Sequence, residues 1–450
     1  MGKDDIHVGL VSLGCSKNLV DSEVMLGLMD QAGFTLEIQP EYADVIIINT
    51  CGFIESAKRE SFDNILQFAQ YKRTGRCKAL IVTGCLVQRY SEEIARELPE
   101  IDALLGTGDY DRIVTAIEKT LDGKKFFSVG APRAHFPGRF PRVLSQAGAT
   151  AYLKIAEGCS NHCSYCVIPG IRGPQESRTI EEIIAEAEAL TQLGVRELIL
   201  IAQDTTMYGE DLYGKPALAD LLRRLTKIKG IYWLRFLYAN PGRFSPELVQ
   251  VMKEEEKVLN YIDLPLQHIN DEILKKMHRP YGKKQVNNLL STLREEIPDV
   301  TIRTSFMVGF PGEGDKEFAE LLAFINDIKF DRVGFFIFSA EEGTKAIRYP
   351  NQVSQIEKEK RYQLAMETQQ AISAMQNKKW IGREMEVLIE GTACESNVLQ
   401  CRSYRDAPDI DGLVFVTASE QQEQGRFITV RITAATEYDL VGEVRDEPVK

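Results

Sequence analysis

The chain opens with short β-branched, apolar runs. His7–Leu13 (HVGLVSL), Ala43–Asn49 (ADVIIIN) and Lys78–Thr83 (KALIVT) lack the alternation of a half-solvated strand. Near-continuous apolar runs of this length suit strands covered on both faces of a parallel sheet. Amphipathic stretches follow each run; after the first, Val20, Val24 and Leu28 recur at helical spacing, with Met25 and Met29 beside them. Residues 1–130 therefore predict an α/β domain with a mostly parallel sheet. Residues 131–150 (APRAHFPGRFPRVLSQAGAT) hold three prolines, three arginines and two glycines and predict a linker. From Ala151 a second alternation begins, with strands expected at Tyr152–Ala156, Glu197–Ala202, Tyr232–Tyr238, Tyr261–Leu264, Thr301–Val308 and Arg332–Phe338. Helical patterns such as Ile180–Leu193 separate them. Six βα units predict a partial barrel, smaller than the eight-unit form, whose active site is built by the loops after the strand C-termini. Residues 353–379 read as one long helix that completes a unit spanning 151–379. Residues 380–450 change to short strands at Glu386–Ile389, Leu413–Val416, Phe427–Ile432 and Asp439–Val444, a small OB-like β-barrel of about 70 residues.

Composition narrows the function classes. At about 150 residues per domain, 450 residues suggest two to four domains. A 44% hydrophobic, 27% charged chain can bury several cores and is neither disordered nor fibrous. No segment approaches the roughly 20 apolar residues of a membrane span. The N-terminus MGKDDIHVGL lacks the apolar core and cleavage site of a signal peptide, so a cytoplasmic location is expected. The net charge of −12 favours a basic partner over nucleic acid. Nine cysteines are too few for a disulfide scaffold, and an odd number cannot all pair; such thiols are buried, catalytic or metal-bound.

Cys159, Cys163 and Cys166 stand at C-x3-C-x2-C spacing directly after the first strand of the expected barrel. Three thiolates in one loop can hold three irons of a 4Fe–4S cluster and leave the fourth open to a small ligand. A structural zinc loop using His162 or a distant fourth ligand is the alternative, but zinc loops usually present two C-x2-C-like pairs, and no second pair lies nearby. Cys15, Cys51 and Cys85 each follow the C-terminal end of an expected strand (VSLGC, IIINTC, IVTGC), and in a parallel sheet those ends share one edge. They can form a second cluster with an open iron, or be three unrelated buried thiols. Cys77 lies at the opposite end of its strand and should not join; Cys394 and Cys401 read as structural.

The C-x3-C-x2-C loop on a six-unit barrel resembles the radical S-adenosylmethionine (SAM) superfamily. The three-part layout resembles its methylthiotransferases: an N-terminal cluster domain, a radical-SAM core and a C-terminal TRAM barrel. The resemblance covers essentially the whole chain. It implies two 4Fe–4S clusters, with Cys159, Cys163 and Cys166 on the radical-generating one and Cys15, Cys51 and Cys85 on a sulfur-relaying one. It further implies that one SAM methylates the cluster-bound sulfur while another yields a 5′-deoxyadenosyl radical for hydrogen abstraction. Tyr165 matches the position that packs against the adenine, Gln203 (with Asp204) the amino-group site, and Gly309–Glu313 a further SAM contact. Each has a plainer alternative: a core aromatic, a helix cap, and a helix-initiating turn. Ser12–Glu23 (SLGCSKNLVDSE), Ala202–Gly209 (AQDTTMYG), Leu264–His268 (LPLQH) and Ser403–Val416 (SYRDAPDIDGLVFV) resemble the RimO-type branch. That branch acts on an aspartate β-carbon of small-subunit ribosomal protein S-twelve; the other branch acts on tRNA adenosines. Ser16 stands where the ribosomal branch usually has proline. Residues 381–450 carry 7 Lys+Arg against 14 Asp+Glu, a net of −7. An RNA-binding module should be basic, so the acidic barrel favours a basic ribosomal protein as substrate and disfavours direct tRNA binding. An electron donor such as flavodoxin or ferredoxin and a sulfur source are the other partners implied. A tRNA methylthiotransferase and a non-catalytic, metal-binding ribosome factor remain the alternatives. His268 reads as a satisfied structural histidine. Lys17, beside Cys15, is placed to stabilise thiolate charge or contact an acidic substrate group, or else is solvated.

Overall fold

The computed structural model describes residues 2–132, 141–145, 148–392, 397–418 and 422–445. The N-terminal domain is a six-stranded parallel sheet: β1 (His7–Ser12), β2 (Thr35–Glu37), β3 (Val45–Thr50), β4 (Ala79–Gly84), β5 (Ala103–Leu105) and β6 (Phe126–Ser128), in the order β2-β1-β3-β4-β5-β6. Every residue of β3 and β4 is buried. Val45, Ile47 and Ile81 pack with the helix α1 (Ser16–Gln31), while Ile46, Ile48, Leu80 and Val82 pack on the opposite face. Two covered faces explain the unbroken apolar runs. The three strands absent from the sequence reading, β2, β5 and β6, have three residues each, too short to stand out as runs.

Six parallel strands follow at Thr150–Lys154, Glu197–Ile201, Trp233–Phe236, Tyr261–Gln267, Thr301–Val308 and Arg332–Ile337. They form two three-stranded sheets, joined between the third and fourth strands by single bonds such as Ala239 N to Asp263 O at 3.0 Å. Outward residues such as Leu198 and Leu200 pack under the helices. Inward Ile199 and Ile201 line the lumen, where they meet Leu237 and, from α1, Val20. The long helix is Gln355–Lys378.

The C-terminal barrel is closed and has five strands: Glu384–Thr392, Val398–Ser403, Val414–Thr417, Phe427–Ala435 and Leu440–Val444. The second, VLQCRS, had no counterpart in the sequence reading; its Cys401 is fully buried in the barrel core. Cys394 lies outside the described residues. The segment Arg402–Asp411 docks on the N-terminal end of the larger barrel. Arg402 pairs with Glu197, Arg332 with Asp406 at 2.7 Å, and Tyr261 Oη donates to Asp411 at 2.6 Å. These contacts pair cations with acids across the seam.

The segment expected to be a linker is, where described, a packed strap. Arg142 is buried and bonds Glu23 of α1 at 2.6 Å, Glu186 at 2.8 Å and the Tyr152 carbonyl at 2.7 Å. Gly27 explains how the strap passes: a Cβ there would sit 2.3 Å from the Pro141 carbonyl oxygen. Proline and arginine read as solvated spacer in the sequence; the pairing carboxylates on α1 and on the helix Ile180–Gln192 turn them into a tie.

Candidate active site between the N-terminal domain and the barrel

β1, β3 and β4 are neighbours in the sheet, so the residues following them meet at one edge. Cys15 caps α1, Cys51 follows β3, and Cys85 opens the helix Cys85–Glu97. Their closeness registers in their acidity. Burial pushes the Cys51 thiol up to about 12; the neighbouring Cys85 and Cys15 add to this, and Arg172 opposes it. Asn18 staples the loops together, donating to the Leu13 and Thr50 carbonyls at 2.9 and 3.0 Å. At Gly14 a Cβ would stand 2.8 Å from Cys51 Cβ, so only glycine leaves this cradle open. Cys77 sits apart, buried, its Sγ 3.3 Å from the Ala79 carbonyl.

The second set lies at the opposite end of the larger barrel from the TRAM barrel. The loop is pinned from both sides: Ser164 Oγ donates to the Lys276 carbonyl at 2.7 Å, and Ala346 N to the Ser164 carbonyl at 2.8 Å. Arg279 Nη1 points at Cys163 Sγ and Asn161 Nδ2 at Cys159 Sγ, each at 3.5 Å. Burial pushes the Cys166 thiol up to about 12, with the other two cysteines adding to the shift. N–H groups aimed at sulfur suit thiolates that carry negative charge on a cluster. His162, which the zinc alternative would use as fourth ligand, is exposed, and its contact is a backbone one, its carbonyl lying 3.0 Å from His278 Nδ1. A cleft of about 530 Å³ opens beside Cys163 and Cys166, between Gln88–Tyr90 and Glu342–Lys345.

A sealed ionic network joins the two sets. Arg172 donates to Asp21 at 2.8 Å and to Glu157 at 2.9 Å, and also to Asn18 and to Cys85 Sγ, the last at 3.5 Å. Lys154 bridges the same two carboxylates, reaching Glu157 at 2.7 Å. Glu157 precedes Cys159 by two residues. Burial opposes its ionisation, but Arg172 and Lys154 outweigh burial and hold its carboxyl well below the usual range. Lys154, Arg172 and Arg279 did not stand out in the sequence, and Asn18 and Asp21 did so only within the stretch Ser12–Glu23. A lone polar residue carries no partner in a linear pattern.

The residues matched to SAM contacts gather around the same end of the barrel. Tyr165 stands edge-on to Phe310, with ring centroids 6.5 Å apart. Gln203 donates from Nε2 to Glu157 at 2.6 Å and leaves its buried Oε1 without a partner. Asp204 is engaged by Thr206, Asn161 and Asn240. Glu313 sits beneath its turn instead of on it: Oε1 accepts from Gly309 N and Arg361, both at 2.9 Å, and Oε2 faces His268 at 3.4 Å. The geometry makes Glu313 a support for the Gly309–Gly312 backbone. His268 Nδ1 accepts from Asn270 N at 3.0 Å.

The chain matches the Radical SAM superfamily over residues 153–325, the TRAM domain over 381–444, and the family described as Uncharacterized protein family UPF0004 over 7–106. It is 52% identical over 439 residues to the ribosomal protein uS12 methylthiotransferase RimO of Desulforamulus reducens, covering 97% of this chain and 99% of that one. To the protein of the same name from Geobacter sulfurreducens it is 49% identical, covering 97% and 98%. The chain belongs to the uS12 methylthiotransferase RimO family. Members of this family are radical-SAM enzymes, whose cofactors are SAM and 4Fe–4S iron–sulfur clusters. In fold the chain is also similar to the radical SAM methyltransferase TsrM from Kitasatospora setae, with a TM-score of 0.55 at 12% identity over 75% of this chain and 72% of that one. Both cysteine sets of this RimO-family chain have the thiol donor chemistry that such clusters need. No helix among the described residues is long and apolar enough to cross a membrane.

Proposed function

We propose that this enzyme places a methylthio group on the β-carbon of an aspartate in ribosomal protein uS12. Cys159, Cys163 and Cys166 would hold one cluster and Cys15, Cys51 and Cys85 the other. Tyr165, Gln203 and the Gly309–Glu313 turn would seat SAM. When bound, the clusters and SAM supply electron transfer, methylation of sulfur and hydrogen abstraction from carbon, which no side chain here can perform.

The observation that carries this reading is the Arg172 network. It ties the Cys85 loop to the strand that leads into Cys159, so sulfur insertion and hydrogen abstraction share one junction. Arg279 and Asn161 orient and stabilise the thiolates of the second set. Phe310 and Tyr165 keep water from one side of the loop. The acidic balance of residues 381–450 attracts a basic ribosomal protein. A ribosomal substrate places the enzyme in the cytoplasm. An electron donor of the flavodoxin or ferredoxin type and a sulfur source complete the reaction.

The test uses a uS12 loop peptide deuterated at the aspartate β-carbon. Deuterium should appear in 5′-deoxyadenosine, with one S-adenosylhomocysteine formed per peptide modified. Unlabelled 5′-deoxyadenosine alongside modified peptide would sink the assignment.

A further inference from the structure

We infer that Lys17 is the anchor for the carboxylate of the substrate aspartate. This inference rests on the function proposed above and assigns the recognition element of the same site.

Three observations carry it. First, Lys17 is 8% exposed, yet among the described residues no carboxylate lies within ion-pair distance of its ammonium. Buried charges are ordinarily paired, because a desolvated cation without an anion is costly. Several other cations around this end of the barrel have such partners: Lys154 and Arg172 face Asp21 and Glu157, Arg243 faces Asp204, and Arg279 points at Cys163, while the buried Lys358 donates to the Phe338 carbonyl. Second, the ammonium rests on the Tyr238 ring, 3.1 Å from its centroid. A ring face attracts a cation without neutralising it, so the full charge remains for an incoming anion. Tyr238 has φ of +62°, a conformation non-glycine residues avoid, and it is pinned there by Asp263 Oδ2, which accepts from its backbone N at 2.9 Å. Third, the placement is at the lumen. Val20, one turn on from Lys17, packs with lumen-facing Ile201 and Leu237, and Tyr238 follows the third barrel strand at its C-terminal end, where barrel chemistry occurs.

Lys17 also lies two residues from Cys15. An aspartate carboxylate held there leaves its β-carbon one bond away, beside the sulfur to be delivered. A neutral nucleobase offers this ammonium hydrogen-bond acceptors but no charge to pair with, so the same contact favours an aspartate.

The experiment compares two uS12 loop peptides, one with the target aspartate and one with asparagine in its place, binding the cluster-loaded enzyme with SAM present. Fluorescence anisotropy should show the asparagine peptide binding roughly 10- to 100-fold more weakly, the range for a hydrogen bond between charged groups. Lys17→Met should lose affinity for the aspartate peptide and bind both alike. Equal binding of the two peptides by the unsubstituted enzyme overturns the anchor, and this arm needs no variant to fold. If Lys17→Met shifts the N-terminal cluster's reduction potential but keeps the preference for aspartate, Lys17 serves the cluster and the anchor is likewise overturned. Failure of the unsubstituted enzyme to methylthiolate the aspartate peptide would instead remove the function reading itself. Modification of that peptide with no aspartate preference removes the anchor alone.

Discussion

Replacing Arg172 with methionine isolates the tie between the two halves of the site. The native interface sets two cations, Lys154 and Arg172, against two carboxylates, Asp21 and Glu157, all nine-tenths or more buried. Methionine keeps an unbranched stem, so packing is largely retained while a charge is lost, together with bonds to Asp21, Glu157, Asn18 and Cys85 Sγ. On an exposed surface such a loss would cost under about 1 kcal/mol. Here two carboxylates would remain in a sealed site against a single ammonium, and breaking a buried set this way costs about 3–5 kcal/mol. That cost falls on the docking of α1 against the barrel, because neither hydrophobic core is touched. Hydrogen exchange of the Ser16–Gln31 amides, read by mass spectrometry on cluster-loaded enzyme, should accelerate by roughly 100-fold or more. Adding Asp21→Asn restores the charge balance and should recover more than half of the lost protection. Exchange within threefold of the parent, or no recovery in the double variant, would refute the reasoning.

Three further outcomes are expected. Cys163→Ala should abolish SAM cleavage, whereas Cys51→Ala should still release 5′-deoxyadenosine but form no methylthiolated product; full turnover by the latter would remove the second cluster from the account. Glu313→Gln weakens the buried contacts to Arg361 and Gly309 and should raise the SAM dissociation constant about tenfold, measured by calorimetry; unchanged affinity would mean the turn holds without it. In Glu197, burial opposes ionisation but Arg402 and Arg235 outweigh it, and in Asp406 Arg332 does the same. Both carboxyls are depressed on folding, so their contribution is present above their ordinary values of 4.5 and 3.8 and is lost as pH falls below them. Docking of the TRAM barrel, followed by small-angle scattering, should therefore be constant from pH 8 to 5 and loosen below about 4.

The two cysteine sets were legible because cysteine is rare and strand ends in a parallel sheet share an edge. β3 and β4 were legible because both of their faces are covered. What escaped the sequence is the junction. α1 shows apolar positions at Val20, Val24 and Met25, and interleaved with them is a polar face of Lys17, Asn18, Asp21 and Glu23. In the structure that face is buried as well, against the strap at Arg142 and the barrel residues Lys154 and Arg172. A polar helix face carries no mark of a distant arginine. The strap was read as a linker for the same reason: proline and arginine look alike whether they span solvent or cross a helix at Gly27. The strand Val398–Ser403 was overlooked because glutamine and arginine interrupt its apolar positions, although Leu399 and Cys401 alternate inward.

The most direct test of the central claim is a mass measurement. Cluster-loaded enzyme is incubated anaerobically with SAM, sulfide and reductant, and with either a uS12 loop peptide or tRNA. The account predicts that the peptide alone gains a methylthio group in place of hydrogen, on its aspartate. Modification of tRNA alone would contradict the substrate assignment and would mean that the acidic C-terminal barrel does not select the partner, while the two-cluster chemistry would stand.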